Sequence, residues 1–386
     1  MHKLKASILD YLRPPSVLMI LLSGLLVNTN ISAQDTEDKV SKMPAQITFL
    51  YPLGSNGIRS YEVVNNLSIN VLAGISGGVD GVEVGGLANF SRGDIRGSQF
   101  AGLVNSSLGD LNGVQAAGLV NFNKGHIDGV QVAGLVNSGL KTVRGAQIAG
   151  LVNAPVKDID GIQVAGLVNV GLGNVNGSQI SGLANVAVKR VTGSQIGLVN
   201  YTGKLKGFQI GLINVADSVE DGAGFGLITY YRNGYHRFEI GATETFYANV
   251  SFKSGVEKFY LIYTVGFKTE NNRSFWAPGV GFGTLFKLNN KLAFNTDFIA
   301  SQVNEDEWWT NELNMLNTMK VNFAYDLNDR LSFYGGPTFN VVVSGIRDRE
   351  NNVVGDSFSP SWDFFDRIGS NNRVKMYIGL TGGIRF

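Results

Sequence analysis

A sixteen-residue period governs the middle of this 386-residue chain and limits its possible folds more than any other feature. The tetrapeptide Gly-Leu-(Val/Ala/Ile)-Asn ends at Asn89, Asn105, Asn121, Asn137, Asn153, Asn169, Asn185, Asn200 and Asn214, in steps of 16 six times, then 15, then 14. A second column keeps the same time: Gln99, Gln115, Gln131, Gln147, Gln163, Gln179, Gln195 and Gln209, with Glu83 in the first unit. A third is a lone aliphatic at Ile95, Leu111, Ile127, Val143, Ile159, Val175, Val191, Leu205 and Val219. Three columns in register over nine units mark a stacked repeat architecture.

Within one unit, strand alternation places Val130, Val132, Gly134 and Val136 on one face and Gln131, Ala133, Leu135 and Asn137 on the other. A second, shorter strand is expected around the lone aliphatic, with the glycines in turns that need positive φ. The expected fold of residues 81–222 is a β-solenoid in which each rung pairs with the rungs above and below. Stacking at ~4.8 Å lets the Asn and Gln columns form amide ladders and the Val and Leu columns a continuous core. The calcium-binding nonapeptide solenoid fits poorly, because Asp94, Asp110, Asp128 and Asp160 recur irregularly. The rival reading makes each unit one strand of an up-and-down barrel. Successive barrel strands run in opposite directions, so a strict 16-residue identity favours translation. Residues 34–80 either cap the solenoid or contribute two barrel strands.

From about residue 223 the composition shifts to Phe and Tyr and the period becomes 2. Val374, Met376, Ile378, Leu380, Gly382, Ile384 and Phe386 oppose Arg373, Lys375, Tyr377, Gly379, Thr381, Gly383 and Arg385. The stretches 331–343 and 319–327 alternate in the same way. One apolar and one polar face on strands this long is the pattern that a bilayer demands of a closed sheet. Glu244 interrupts the apolar face of a strand drawn over 240–252. Eight strands are expected, beginning near 224, 236, 258, 275, 291, 317, 330 and 373. Connections 344–372 and 301–316 are long, and 327–330 and 287–290 are short. Short turns belong to the periplasm, so an even count places the repeats there, while a miscount by one places them outside.

Residues 223–386 resemble Gram-negative outer-membrane β-barrels, and the terminal Phe386 matches the C-terminal signature of that class. The resemblance implies membrane lipid and the barrel-assembly machinery as partners. The repeat G-x-Q-φ-A-G-L-V-N resembles bacterial surface-repeat proteins of unknown activity, and brings no catalytic residue with it. The expected fold class is therefore all-β, a β-solenoid-like repeat region followed by an antiparallel outer-membrane barrel of about eight strands.

Residues 1–33 read as a secretory signal: Lys3, Lys5 and Arg13 precede the apolar run Val17 to Val27, and Ser32-Ala33 offers a cleavage site. That run is too short for a bilayer that needs roughly 20 residues. A net charge of +1 argues against a nucleic-acid binder. The absence of Cys excludes disulfides, thiolate metal sites, thiol nucleophiles and a lipoprotein anchor. His126 and His236 stand alone, and no H-E-x-x-H, G-x-S-x-G or P-loop occurs. The glycine-rich run Gly279 to Gly283 sits in an expected strand rather than ahead of a helix, which speaks against a nucleotide. No metal, cofactor or catalytic residue is expected.

Trp308 and Trp309 beside Glu305, Asp306 and Glu307, and Trp362 beside Asp363 and Asp366, are the two unusual clusters. They read either as an interfacial aromatic belt with solvating charges or as a platform that stacks sugars. The function expected is non-enzymatic: an outer-membrane anchor carrying a rigid binding or adhesive scaffold for a protein or glycan. The alternative is a transporter or channel in which the repeats belong to one larger barrel. A lipid-modifying enzyme lacks any Ser/His/acid constellation.

Overall fold

The computed structural model describes residues 41–328, 330–347 and 354–386. The signal reading of residues 1–33, and residues 34–40 with it, lie outside the described residues. Two sheets hold nearly every strand, and no strand pair joins one to the other among the described residues. The first is a parallel β-solenoid of about ten turns.

A rung has a seven-residue strand such as Ile127–Ala133, a bend at Gly134-Leu135, and a four-residue strand such as Val136–Gly139. The lone aliphatic therefore opens the longer strand rather than forming a short one of its own. Ile127–Ala133 pairs residue for residue with Leu111–Ala117 below and Val143–Ala149 above, Gln on Gln and Gly on Gly. The short strand does the same, Asn137 lying between Asn121 and Asn153.

Two glycine columns make this stacking possible. Gly129 has φ +151°, and a Cβ there would lie 1.9 Å from the Gly113 carbonyl oxygen one rung below. This position lies inside the strand, not in a turn as the sequence led us to expect. Gly134 meets the Gly118 carbonyl at 2.0 Å in the same sense.

The bend corrects the expected core. Alternation restarts at Gly134-Leu135, so Leu135 points outward with the other Gly-Leu leucines, while Gln131, Ala133 and Asn137 are buried. The aliphatic column fills the interior instead: Val79, Ile95, Leu111, Ile127 and Val143 form one cluster, and Ile159, Val175, Val191 and Leu205 continue it.

The solenoid is also longer than the repeat signature. Ser41–Leu50 pairs in parallel with Val63–Ser76, and that strand pairs with Gly78–Gly85, so the N-terminal strands belong to the solenoid. At the other end Ile213–Phe225 pairs in parallel with Ile228–Tyr231. The strand expected near 224 is thus the last rung, and the boundary at 222 falls inside it.

The second sheet is antiparallel. Its long strands are β1 (Tyr235–Thr243), β2 (Ala248–Val256), β3 (Phe259–Glu270), β4 (Arg273–Lys287), β5 (Leu292–Gln302), β6 (Asn314–Asn328), β7 (Leu331–Ser344) and β8 (Arg373–Arg385). Each pairs with the next, and β8 pairs with both β7 and β1. The strand drawn over 240–252 is two strands, β1 and β2, with a turn between them. Glu244 lies in that turn, so it does not break an apolar strand face. Its carboxylate accepts hydrogen bonds from Thr338 Oγ1 at 3.1 Å and Asn340 Nδ2 at 2.8 Å.

Along each strand one face is buried and polar, the other exposed and apolar. On β8, Lys375, Tyr377, Thr381 and Arg385 are buried, while Ile378 and Leu380 are exposed. Phe238, Val250, Phe267, Phe282, Phe298, Phe323 and Phe333 continue the exposed face on the other strands. The connections β2–β3, β4–β5 and β6–β7 are short and lie at one end, with the start of β1 and with Phe386; the opposite end carries the two long connections, β5–β6 and β7–β8, beside the short turns β1–β2 and β3–β4.

Residues Ser41–Phe386 form one compact unit. The last rung packs on the exposed face of β1–β3. Ser254 Oγ donates to the Thr229 carbonyl at 2.6 Å, Tyr263 donates to the Leu227 carbonyl, and the rings of Phe225 and Phe259 lie 4.5 Å apart.

Candidate functional site

Two interiors carry almost all the buried polar chemistry. In the solenoid, each Gln side chain donates toward the N-terminus: Gln209 to Gln195, then rung by rung to Gln99, at 2.7–2.9 Å. Each Asn donates the other way, Asn70 to Asn89 and onward to Asn214, at 2.9–3.1 Å. The orientation of the Asn amides is fixed because, from Asn89 to Asn214, each Nδ2 also donates to a backbone carbonyl, as Asn121 does to Val132 at 2.7 Å. The two amide columns therefore run with opposed dipoles through one interior.

Both columns meet at Glu83. Its carboxylate accepts from Gln99 Nε2 at 2.7 Å and from Asn70 Nδ2 at 3.1 Å. A Gln here would bring an NH2 group of its own, whereas a carboxylate only accepts. Burial pushes the Glu83 carboxyl above its usual range, against the opposing pull of the hydrogen bonds from Gln99 and Asn70. At the far end Asn214 Nδ2 reaches Thr229 Oγ1 at 3.4 Å, and Gln209 Oε1 faces Gly224 without a partner among the described residues.

The buried face of the antiparallel sheet is built from charge. Lys253 Nζ lies 2.8 Å from Glu239 and 2.6 Å from Asp297. Arg385 reaches Glu239 at 2.6 Å and Asn295 Oδ1 at 2.9 Å, and Tyr260 donates to Asp297 at 2.6 Å. Two cations thus meet two carboxylates, which leaves the cluster balanced; a buried charge is tolerable only when paired in this way. The positive end of this set, Arg385, comes from the polar face read in the last strand. Lys253, Glu239 and Asp297 gave no signal in the sequence, because each sits on a different strand.

Toward the opposite end, the connection 345–372 sends Phe358 into the sheet's interior, fully buried against Phe246, Phe275 and Tyr377. Lys268 Nζ donates to the Phe358 carbonyl at 3.0 Å, and Lys375 Nζ donates to Ser359 Oγ at 3.0 Å. Between the two clusters a cavity of about 20 Å³, lined by Thr243, Thr318, Lys320 and Asn340 among others, has room for about one water.

The aromatic clusters divide. Trp308 stacks on Trp276 at 4.8 Å with Trp309 edge-on at 6.3 Å, and Trp308 is 82% exposed. Trp362 stands apart, its Nε1 donating to the Ile378 carbonyl at 3.1 Å. The neighbouring carboxylates are engaged by arginines: Glu305 and Asp306 by Arg273 at 3.0 and 2.9 Å, and Asp366 by Arg373. The structure does not bring the three tryptophans together.

His236 is not alone. Its Nε2 faces the Tyr231 carbonyl at 2.6 Å and therefore donates, while Nδ1 lies 3.2 Å from Ser254 Oγ. This Ser–His pair is a structural joint: the Ser254 hydroxyl also bonds the Thr229 carbonyl, and the Tyr230 ring stacks on the imidazole at 4.7 Å. Among the described residues no group of three or more His, Cys, Asp or Glu is placed to hold a metal ion. Gly279 to Gly283 lie within β4. No family model, curated protein or solved structure matches the chain.

Proposed function

We propose that the antiparallel sheet is an eight-stranded β-barrel in the outer membrane of a Gram-negative bacterium. It serves as a non-enzymatic anchor for the solenoid, which acts as a rigid scaffold. The observation that carries this reading is the filled interior. The pairing of β8 with β1 supports closure, and the exposed apolar face supports contact with lipid. Inside such a ring, the Lys253–Glu239–Asp297–Arg385 cluster and the Phe358 segment take up the space a water path would need. The solenoid joins at the end that holds Phe386 and lies opposite the two long connections, which supports a periplasmic position for it. The separate parallel pairing of the repeats argues against one larger barrel with a pore.

Conductance in planar phospholipid bilayers tests the anchor role. The purified full chain should give no steady current, and a stable open channel would overturn the reading. With an epitope at Gly139-Leu140, protease added to intact cells should leave it uncut; cleavage would place the repeats outside.

A further inference from the structure

The solenoid turns one edge of every rung into an apolar surface. The Gly-Leu leucines, from Leu87 through Leu135 to Leu227, are each between 37 and 53% exposed. Beside them run Val84, the residue after each Gln, such as Phe100 and Ile148, and Phe225, and then the Val, Ile or Ala that follows each Leu. No charged residue occurs at these positions anywhere between Val84 and Ile228. Charge appears at other positions of the rung: Lys141 and the ion pairs Arg96–Asp94, Arg144–Asp128 and Arg190–Glu220 are exposed, interspersed with Leu108, Leu172 and Val188. At ~4.8 Å per rung the apolar edge extends roughly 45 Å over ten turns, well beyond the isolated patches that soluble surfaces carry.

The two sheets make this edge continuous with the exposed face of the antiparallel sheet. Phe225 meets Phe259 in a tilted contact at 4.5 Å, and Phe259 stacks on Phe282 at 6.1 Å and Phe282 on Phe298 at 5.5 Å, an unbroken line from the last rung onto β3, β4 and β5. Tyr263 on that same face bonds the carbonyl of Leu227, the last leucine of the solenoid edge.

We infer that the apolar edge of the solenoid rests on phospholipid acyl chains, extending the lipid contact of the barrel along the leaflet it leaves. This rests on the reading of the antiparallel sheet as a membrane barrel, since the occupant is argued from continuity with that face. A parallel solenoid can occupy such a place because rung-to-rung pairing satisfies its backbone and the amide columns satisfy its interior. The charged positions of the rung then face water, as the polar residues of an amphipathic helix do at a bilayer surface.

The chain has no cysteine, so single-site labelling is clean. Leu135→Cys, Lys141→Cys and Leu380→Cys, each carrying a nitroxide, are reconstituted as the full chain in dioleoylphosphatidylcholine vesicles. Accessibility to oxygen and to a water-soluble nickel chelate is then read by spin resonance. The label at 135 should match that at 380, with an oxygen-to-nickel ratio about tenfold above that at 141, as sites in lipid and water differ. A label at 135 that behaves like the one at 141 while 380 stays in lipid overturns the inference and leaves the barrel reading standing. A label at 135 shielded from both reagents also overturns it, placing a second copy of the chain on the edge. A label at 380 exposed to nickel sinks the barrel reading itself.

Discussion

The two interiors solve one problem, burying polar groups, in opposite ways. The solenoid uses neutral amides, one Gln and one Asn per rung, each bonded to its copy in the next rung. The antiparallel sheet uses full charges, each appearing once and meeting partners far along the chain, as Lys253 meets Asp297 and Arg385 meets Glu239. The first scheme is redundant, so the loss of one amide disturbs two bonds of its column out of many. The second is concentrated, so the loss of one charge strands the others in a dry interior.

That contrast can be tested by damage. The largest effect belongs to Lys253→Met, which leaves Glu239 and Asp297 buried without their shared ammonium. Removing one partner of a buried ion pair costs about 3–5 kcal/mol. Urea unfolding of the folded, detergent-solubilised chain should show a correspondingly lower midpoint, and an unchanged midpoint would show that the cluster is not concentrated in this sense. A smaller cost follows from Gly129→Ala, because a side chain at φ +151° meets the carbonyl of Gly113. Strain of this kind costs about 1–3 kcal/mol. The damage should stay local, with amide exchange quickening in the rungs of residues 113–145 and not in β1–β8.

The smallest effect is also the sharpest. Burial raises the Glu83 carboxyl, so the folded state holds its proton more tightly than the unfolded chain does. Its contribution to stability is full below the ordinary Glu value of about 4.3 and is lost as pH rises through the elevated folded value. Glu83→Gln removes that dependence. Thermal melts should therefore show the variant gaining on the parent chain as pH rises, and parallel curves would show that the solenoid end carries no buried titrating charge.

How far the sequence discloses each interior follows from the same contrast. The 16-residue identity announces the solenoid, and the Gln and Asn columns announce its ladders, because translation by one rung places like on like. The position of the bend was hidden: Gly134-Leu135 continues the alternation in sequence and breaks it in space, which put the leucines on the wrong side of the expected core. The polar and apolar faces of β6, β7 and β8 were legible from period 2 alone. The expected strand count of eight agrees with the eight long strands only because two errors cancel, the last rung counted in and the turn at Glu244 missed. The ion cluster was not legible, since Glu239, Lys253 and Asp297 come together only through the order in which strands pair. Nor did the sequence show that Phe358 turns inward, because nothing in a long connection says which aromatic finds the interior.

The Glu83 terminus has a further consequence. It resolves the clash of donors once, at the first amide rung, and every rung after it needs only a neighbour like itself. Duplication or deletion of a whole sixteen-residue unit in the middle would therefore create no new kind of contact and leave both ends as they are. The shorter steps of 15 and 14 fall only in the last turns, next to the joint at His236 and Ser254. The length of the solenoid is thus adjustable in this architecture, set by copy number, while the joint to the antiparallel sheet stays fixed; under the membrane reading proposed above, that length is the reach along the bilayer.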